Sequence, residues 1–186
     1  MRKFSKAVSL ILALALIFGS MTLAFAADEK SAAAGGVSGN NSGQKSDKIV
    51  ILYTNDVHCS IDANIGYAGL AAYKNDKLAE TDYVTLIDAG DAIQGEAIGT
   101  LSKGSYISDI MDFIGYDYAV PGNHEFDYGM DTFLNLAERA GYEYICCNFI
   151  DLKTGDTVFA PYAVETYGDT KVAYIGIDTP ESFVKS

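Results

Sequence analysis

A chain of 186 residues, 49% hydrophobic and 20% charged, has the makeup of a globular protein and the length for one domain of ordinary size. Its formal net charge of −12 tells against a nucleic acid polymer as partner. A phosphate backbone is gripped by clustered Lys and Arg, and no basic stripe is visible.

In chain order, the first segment is a targeting label. Arg2, Lys3 and Lys6 form a positive start, an apolar run follows from Ala7 through Phe18, and Ala24-Phe25-Ala26 has the small-x-small pattern of a signal-peptidase site. This predicts a signal peptide over 1–26, cleaved after Ala26. The remainder is then secreted, to the cell surface, the periplasm or the medium, with no membrane span after cleavage. An uncleaved anchor is the competing reading, since Ala7 to Ala27 nearly reaches spanning length; Gly19, Ser20 and the Ala-x-Ala pattern favour cleavage. Residues 27–47, which include "DEKSAAAGGVSGNNSGQKSD", lack an apolar period and are rich in Gly, Ser and Asn. They read as a flexible linker, which leaves 48–186 as the folded part.

From Lys48 the pattern alternates. "KIVILYT" is a β-branched apolar run of buried-strand length, and "GYAGLAAYKNDKLAE" places apolar residues at helical spacing. "DYVTLIDAG" predicts the next strand and "GSYISDIMDFIG" the next helix, with Gly115 as its C-cap. "YDYAVPG" is a third strand, "GMDTFLNLAERAG" a third helix ending at Gly141, and "YEYICCNFI" a fourth strand. "VFAPYAVETYGDTKVAYIGI" then alternates like a hairpin with its turn at Gly168-Asp169. Three cysteines, Cys59, Cys146 and Cys147, cannot all pair within the chain. The adjacent two sit in an apolar strand and read as buried small hydrophobes.

Strands alternating with helices imply an α/β fold, its sheet largely parallel and covered on both faces. Functional groups in such sheets gather beyond the carboxyl ends of the strands. Three polar clusters fall there: "TNDVH" after the first strand, "DAGD" after the second and "PGNHE" after the third. Asp56, His58, Asp91, Asn123 and His124 then converge on one edge, because parallel neighbours align their ends. Carboxylate oxygens and a neutral imidazole suit divalent ions such as Zn, Mn, Co, Fe, Mg or Ca. Gly90 before Asp91 and Gly122 before Asn123 let the backbone turn sharply and approach closely. A carboxylate can bridge two ions about 3.5–4 Å apart, and such a pair clamps both the attacking and the leaving oxygen of a phosphate.

Taken singly, each residue has a plainer reading. A strand-terminal Asp is usually a turn former or N-cap, a lone His is usually a hydrogen-bonded surface residue, and Glu125 reads as a cap or pairing group. The weight comes from the coincidence of spacing with strand ends.

At these residues the chain resembles a known family. "ILYTNDVH" and "YDYAVPGNHEFDYG" look like the two signature segments of the secreted 5′-nucleotidase family within the calcineurin-like metallophosphoesterases, with Gly90-Asp91 between them in the expected order. The resemblance runs from about Ile49 to Pro180. It implies a metallophosphoesterase-type sandwich of mixed sheets flanked by helices, of which only the N-terminal portion is present. It also implies hydrolysis of nucleotide phosphate esters by metal-activated water, with two divalent ions. By matching positions, Asp56 and His58 bind the first metal, Asp91 bridges both and Asn123 binds the second. His124 sits over the scissile phosphate and Asp127 orients it. Ser60 and Cys59 are not nucleophiles in such a scheme, and Cys59 departs from the small residue usual there.

A larger departure is that the family's complete site takes two further histidines and a ligand from a "GHxH"-like segment, while no histidine follows His124. The family's base-stacking second domain is missing too. The expected protein is therefore the N-terminal part of a longer phosphoesterase. The alternative is a truncated, non-catalytic fragment that binds metal weakly or requires a partner polypeptide.

Overall fold

The β-branched run after Lys48 forms β1 (Val50–Thr54), paired in parallel along its whole length with β2 (Val84–Asp88), Val50 opposite Val84 and Thr54 opposite Asp88. Two short strands extend the sheet, β3 (Tyr118–Ala119) beside β2 and β4 (Glu143–Tyr144) beside β3, giving the all-parallel order β1-β2-β3-β4. The computed structural model describes residues 45–184. The expected signal peptide and most of the expected linker lie outside the described residues. The end of that linker already touches the fold: the Ser46 amide donates to the Glu80 carbonyl at 2.8 Å, and Lys45 pairs with Asp82.

Helices fill the connections between the strands. They are α1 (Gly66–Glu80), α2 (Ala97–Ser102), α3 (Ser105–Ile114) and α4 (Met130–Arg139). α2 was not expected from the sequence, because "AIGTLS" is too short to show a period. α3 ends where Gly115 takes φ +80° and returns its amide to the Met111 and Asp112 carbonyls, as the C-cap reading requires. α4 stops at Ala140, which is extended, one residue before Gly141.

Period-2 alternation along the strands divides the core in two. Leu86, Ala119 and Tyr144 point to one face, where they pack with Tyr67 and Leu70 of α1, Ile107 and Met111 of α3, and Phe133 and Leu136 of α4. Their neighbours Ile87, Tyr118 and Ile145 point to the other, against Tyr167 and Tyr174. Those tyrosines belong to the antiparallel hairpin β5 (Tyr162–Tyr167) and β6 (Thr170–Ile175), which turns at Gly168-Asp169 as the sequence indicated. Helices thus cover one face of the parallel sheet and the hairpin covers part of the other, with Ile51 and Tyr53 of β1 left exposed. The Tyr167 hydroxyl, bonded to Thr85 and to the Tyr174 hydroxyl, ties hairpin to sheet through a buried polar contact.

Beyond β4 the chain is held by single contacts rather than a ladder. The Cys146 amide donates to the Ala160 carbonyl and the Cys147 amide to the Gly176 carbonyl. A β-carbon at Gly176 would lie 1.9 Å from the Ile145 carbonyl oxygen, so only glycine permits this approach. Cys146 is buried and Cys147 half-buried, both as free thiols, in keeping with their reading as small apolar residues. A 3₁₀ turn at Pro180–Val184 follows.

Phe133 is fully buried, with Phe126, Tyr144 and Phe159 edge-on around its ring. Phe133→Ala is expected to lower the stability of the chain by about 3–5 kcal/mol in urea unfolding followed by far-UV circular dichroism. A loss under about 1 kcal/mol would contradict the packing described.

Candidate metal centre

The loop after β1 has an unusual backbone. Asp56, His58 and Cys59 all take positive φ, at 54°, 48° and 61°, and Asp91 in the loop after β2 does so at 60°. Non-glycine residues there carry about 1–3 kcal/mol of strain each, so the surroundings must hold them. The restraint is a run of main-chain bonds between the two loops: the Asp56 amide to the Gly90 carbonyl, His58 to Asp91 and Cys59 to Ala92, at 2.9–3.0 Å. Irregular main-chain bonding between the loops therefore continues past the strand ends and carries the side chains with it. The Cys59 thiol turns inward, fully buried, and burial pushes its pKa up to about 11. It is a packed, inert thiol.

The second and third loops meet backbone to backbone. A β-carbon at Gly90 would lie 2.9 Å from the Gly122 nitrogen, and one at Gly122 would lie 2.4 Å from Asp91 Oδ1. Both glycines are there for closeness, as their spacing suggested. The His124 amide donates to Asp91 Oδ1 at 2.8 Å. Glu125, in the 3₁₀ turn Asn123–Phe126, is buried with its carboxylate facing the junction. Its Oε2 accepts from the Asp91 and Gly122 amides at 2.9 and 2.6 Å, and its Oε1 from the Ala92 amide at 2.9 Å. Burial pushes its pKa upward, while these amides pull the other way.

On this frame the side chains converge. His58 Nδ1 lies 3.0 Å from the Gln94 carbonyl oxygen, which makes Nδ1 the donor and leaves Nε2 as a lone-pair nitrogen. His124 Nδ1 lies 2.7 Å from Asp127 Oδ2, and the two imidazole rings meet edge-on with centroids 5.0 Å apart. Ligand atoms of His58, Asp91 and His124 all lie within 4.8 Å of one another. The Asp91 carboxylate and the lone-pair Nε2 of His58 suit a divalent cation, and the His124 ring stands beside them. Asp56 stands at the solvent edge, its Oδ1 3.9 Å from His58 Nε2. Asn123 opens the turn beside Gly122, in the loop that touches Asp91.

Two carboxylates contribute more than the sequence reading assigned them. Glu125 read as a local cap, yet it bonds amides in a loop more than thirty residues away. Asp88 stands in the "DAGD" cluster with no role of its own in that reading. It is buried at the end of β2, accepts from the Thr54 hydroxyl at 2.7 Å and the Gly90 amide at 3.0 Å, and burial pushes its pKa up to about 8. Thr54 in turn meets the Tyr116 hydroxyl at 3.0 Å. The available signal was a second Asp three residues before Asp91 at a strand end.

Residues 49–183 match the Calcineurin-like phosphoesterase family. A 5′-nucleotidase of Vibrio parahaemolyticus is 34% identical over 143 residues, covering 73% of this chain and 26% of its own length. Protein UshA of Escherichia coli is 32% identical over 146 residues, covering 74% and 26%. The NAD nucleotidase NadN of Haemophilus influenzae superimposes with a TM-score of 0.64 at 28% identity, over 72% of this chain and 27% of that one. A 5′-nucleotidase precursor from Thermus thermophilus gives 0.63 at 26% identity, over 72% and 29%. The chain spans about a quarter of the length of the curated relatives it matches. A parallel α/β sheet, an Asp/His cluster at its strand ends and this match over nearly all the described residues agree: the chain belongs to the calcineurin-like phosphoesterase family.

Proposed function

We propose that the chain supplies the N-terminal part of an exported, dinuclear-metal phosphoesterase that hydrolyses phosphate esters of nucleotides. The observation that carries this reading is the gathering of His58, Asp91 and His124 ligand atoms within 4.8 Å, from three separate loops. Asp56, His58, Asp91 and Asn123 are the residues that would hold the ions. When bound, such a pair supplies Lewis acidity to a phosphoryl oxygen and lowers the pKa of a water toward neutrality. The metal itself is any of Zn, Mn, Co, Fe, Mg or Ca, since this donor set accepts several and availability decides.

The protein's own part is orientation and charge. Asp127 engages Nδ1 of His124, which orients the ring and leaves Nε2 for the phosphate and the departing oxygen. No side-chain nucleophile is required, and the inward-turned Cys59 thiol offers none. Nucleotide recognition is supported by the names of the 5′-nucleotidase relatives. Export rests on the signal-peptide pattern over 1–26, followed by the 27–47 linker and a 48–186 folded part. Among the described residues no helix is long and apolar enough to cross a membrane.

A specific observation favours a second reading, completion of the site by further polypeptide. Tyr162, Val164 and Ile175 on the outer face of the hairpin are exposed, as are Ile51 and Tyr53 on β1, apolar side chains open to a covering polypeptide.

Phosphate release from a nucleoside monophosphate with added Mn²⁺ or Co²⁺ tests the enzyme reading. Turnover is expected from the chain alone or on addition of a polypeptide carrying the rest of a relative's sequence; none above background in either case would retire the reading. Where turnover is seen, His124→Asn is expected to lower kcat about 100- to 10,000-fold while Mn²⁺ affinity stays within a few-fold. Loss of Mn²⁺ affinity instead would make His124 a ligand. Asp91→Asn is expected to weaken Mn²⁺ binding in a calorimetric titration, and unchanged binding would remove Asp91 from the site.

A further inference from the structure

We propose that Glu125 is a positioning residue of the metal centre: its carboxylate fixes the spacing between the loop carrying Asp91 and the loop carrying Asn123 and His124. It thereby sets the affinity of the site for divalent cations. The inference rests on the metal-binding reading given above and goes beyond the ligands themselves.

Three features of the bonding point this way. The partners of Glu125 are main-chain amides, and one belongs to Asp91 itself while another belongs to Gly122, next to Asn123. A shift of either amide moves a ligand side chain with it. The two oxygens divide the work, Oε2 taking one amide from each loop and Oε1 taking Ala92, so the carboxylate bridges rather than merely caps. Capping the 3₁₀ turn, which Glu125 also does, needs only the Gly122 bond and does not account for the reach to residues 91 and 92.

The site also leaves little freedom to compensate. Gly90 and Gly122 are already at contact distance, and His124 donates to Asp91 Oδ1 across the same seam. If the seam opens, Asp91 loses the His124 amide and both loops lose their common anchor. Glutamine at this position keeps the shape but turns one acceptor into an N–H facing another N–H. Aspartate keeps the charge but is one methylene short of spanning both loops. A buried group that orients metal ligands typically costs about 10- to 100-fold in metal affinity when altered.

The experiment compares Glu125→Gln, Glu125→Asp and a core truncation in α1, Leu70→Ala, all in the full chain. Each is titrated with Mn²⁺ alone, free ion being read by electron paramagnetic resonance, and each apo protein is unfolded in urea. The expected result is a rise of about tenfold or more in the Mn²⁺ dissociation constant for Glu125→Gln. Leu70→Ala, at an equal or greater loss of stability, should leave Mn²⁺ binding unchanged. A rise for Glu125→Gln no larger than that for Leu70→Ala would overturn the proposal. Failure of both Glu125 variants to fold would overturn it equally, because the residue would then serve the whole fold. If the unmodified chain takes up no Mn²⁺, the metal reading itself falls; binding that is indifferent to residue 125 sinks only the present inference.

Discussion

The constraint on which the rest depends is the contact between Gly90 and Gly122, where two loops from neighbouring strands touch with no side chain between them. Asp91 hangs from this seam. Its amide is held by Glu125, its carbonyl by the His58 amide and its Oδ1 by the His124 amide. Every expected ligand is within two residues of one of these bonds. Positive φ at Asp56, His58, Cys59 and Asp91 is the cost of bringing the first two loops so close, and the inter-loop bonds offset it.

The same closeness concentrates carboxyl groups. Asp88, Asp91 and Glu125 lie at one corner of the sheet, each little exposed, and burial pushes both Asp88 and Glu125 above the usual carboxylate range. Carboxylates are rarely gathered out of water without a compensating charge. Backbone amides supply part of that compensation for Glu125, and the Thr54 hydroxyl and Gly90 amide do so for Asp88. A divalent cation at Asp91 would favour the ionised form of both.

Much of this was legible because local patterns and tertiary structure agree. The strand end at Thr54 is legible in its β-branched run, the strands expected through Gly90 and Gly122 end at Asp88 and Ala119, and parallel pairing brings His58, Asp91 and His124 together. What stayed hidden depends on partners distant in sequence. Glu125 has the spacing of a cap, and nothing local says that its second oxygen is used by Ala92. Asp88 looks like any turn former until burial and Thr54 are known. The short α2 follows from packing beside α3 rather than from its own six residues. The division of the core, helices on one face and hairpin on the other, required knowing which strand residues alternate inward.

Kinship with 5′-nucleotidases bears on the stretch these residues cover, about a quarter of the relatives' length. The most direct test of the central claim is anomalous diffraction from crystals of the chain soaked in Mn²⁺. The structure predicts manganese density against the Asp91 carboxylate and within bonding distance of His58. Manganese bound only at outlying surface carboxylates, with none beside Asp91, would contradict it.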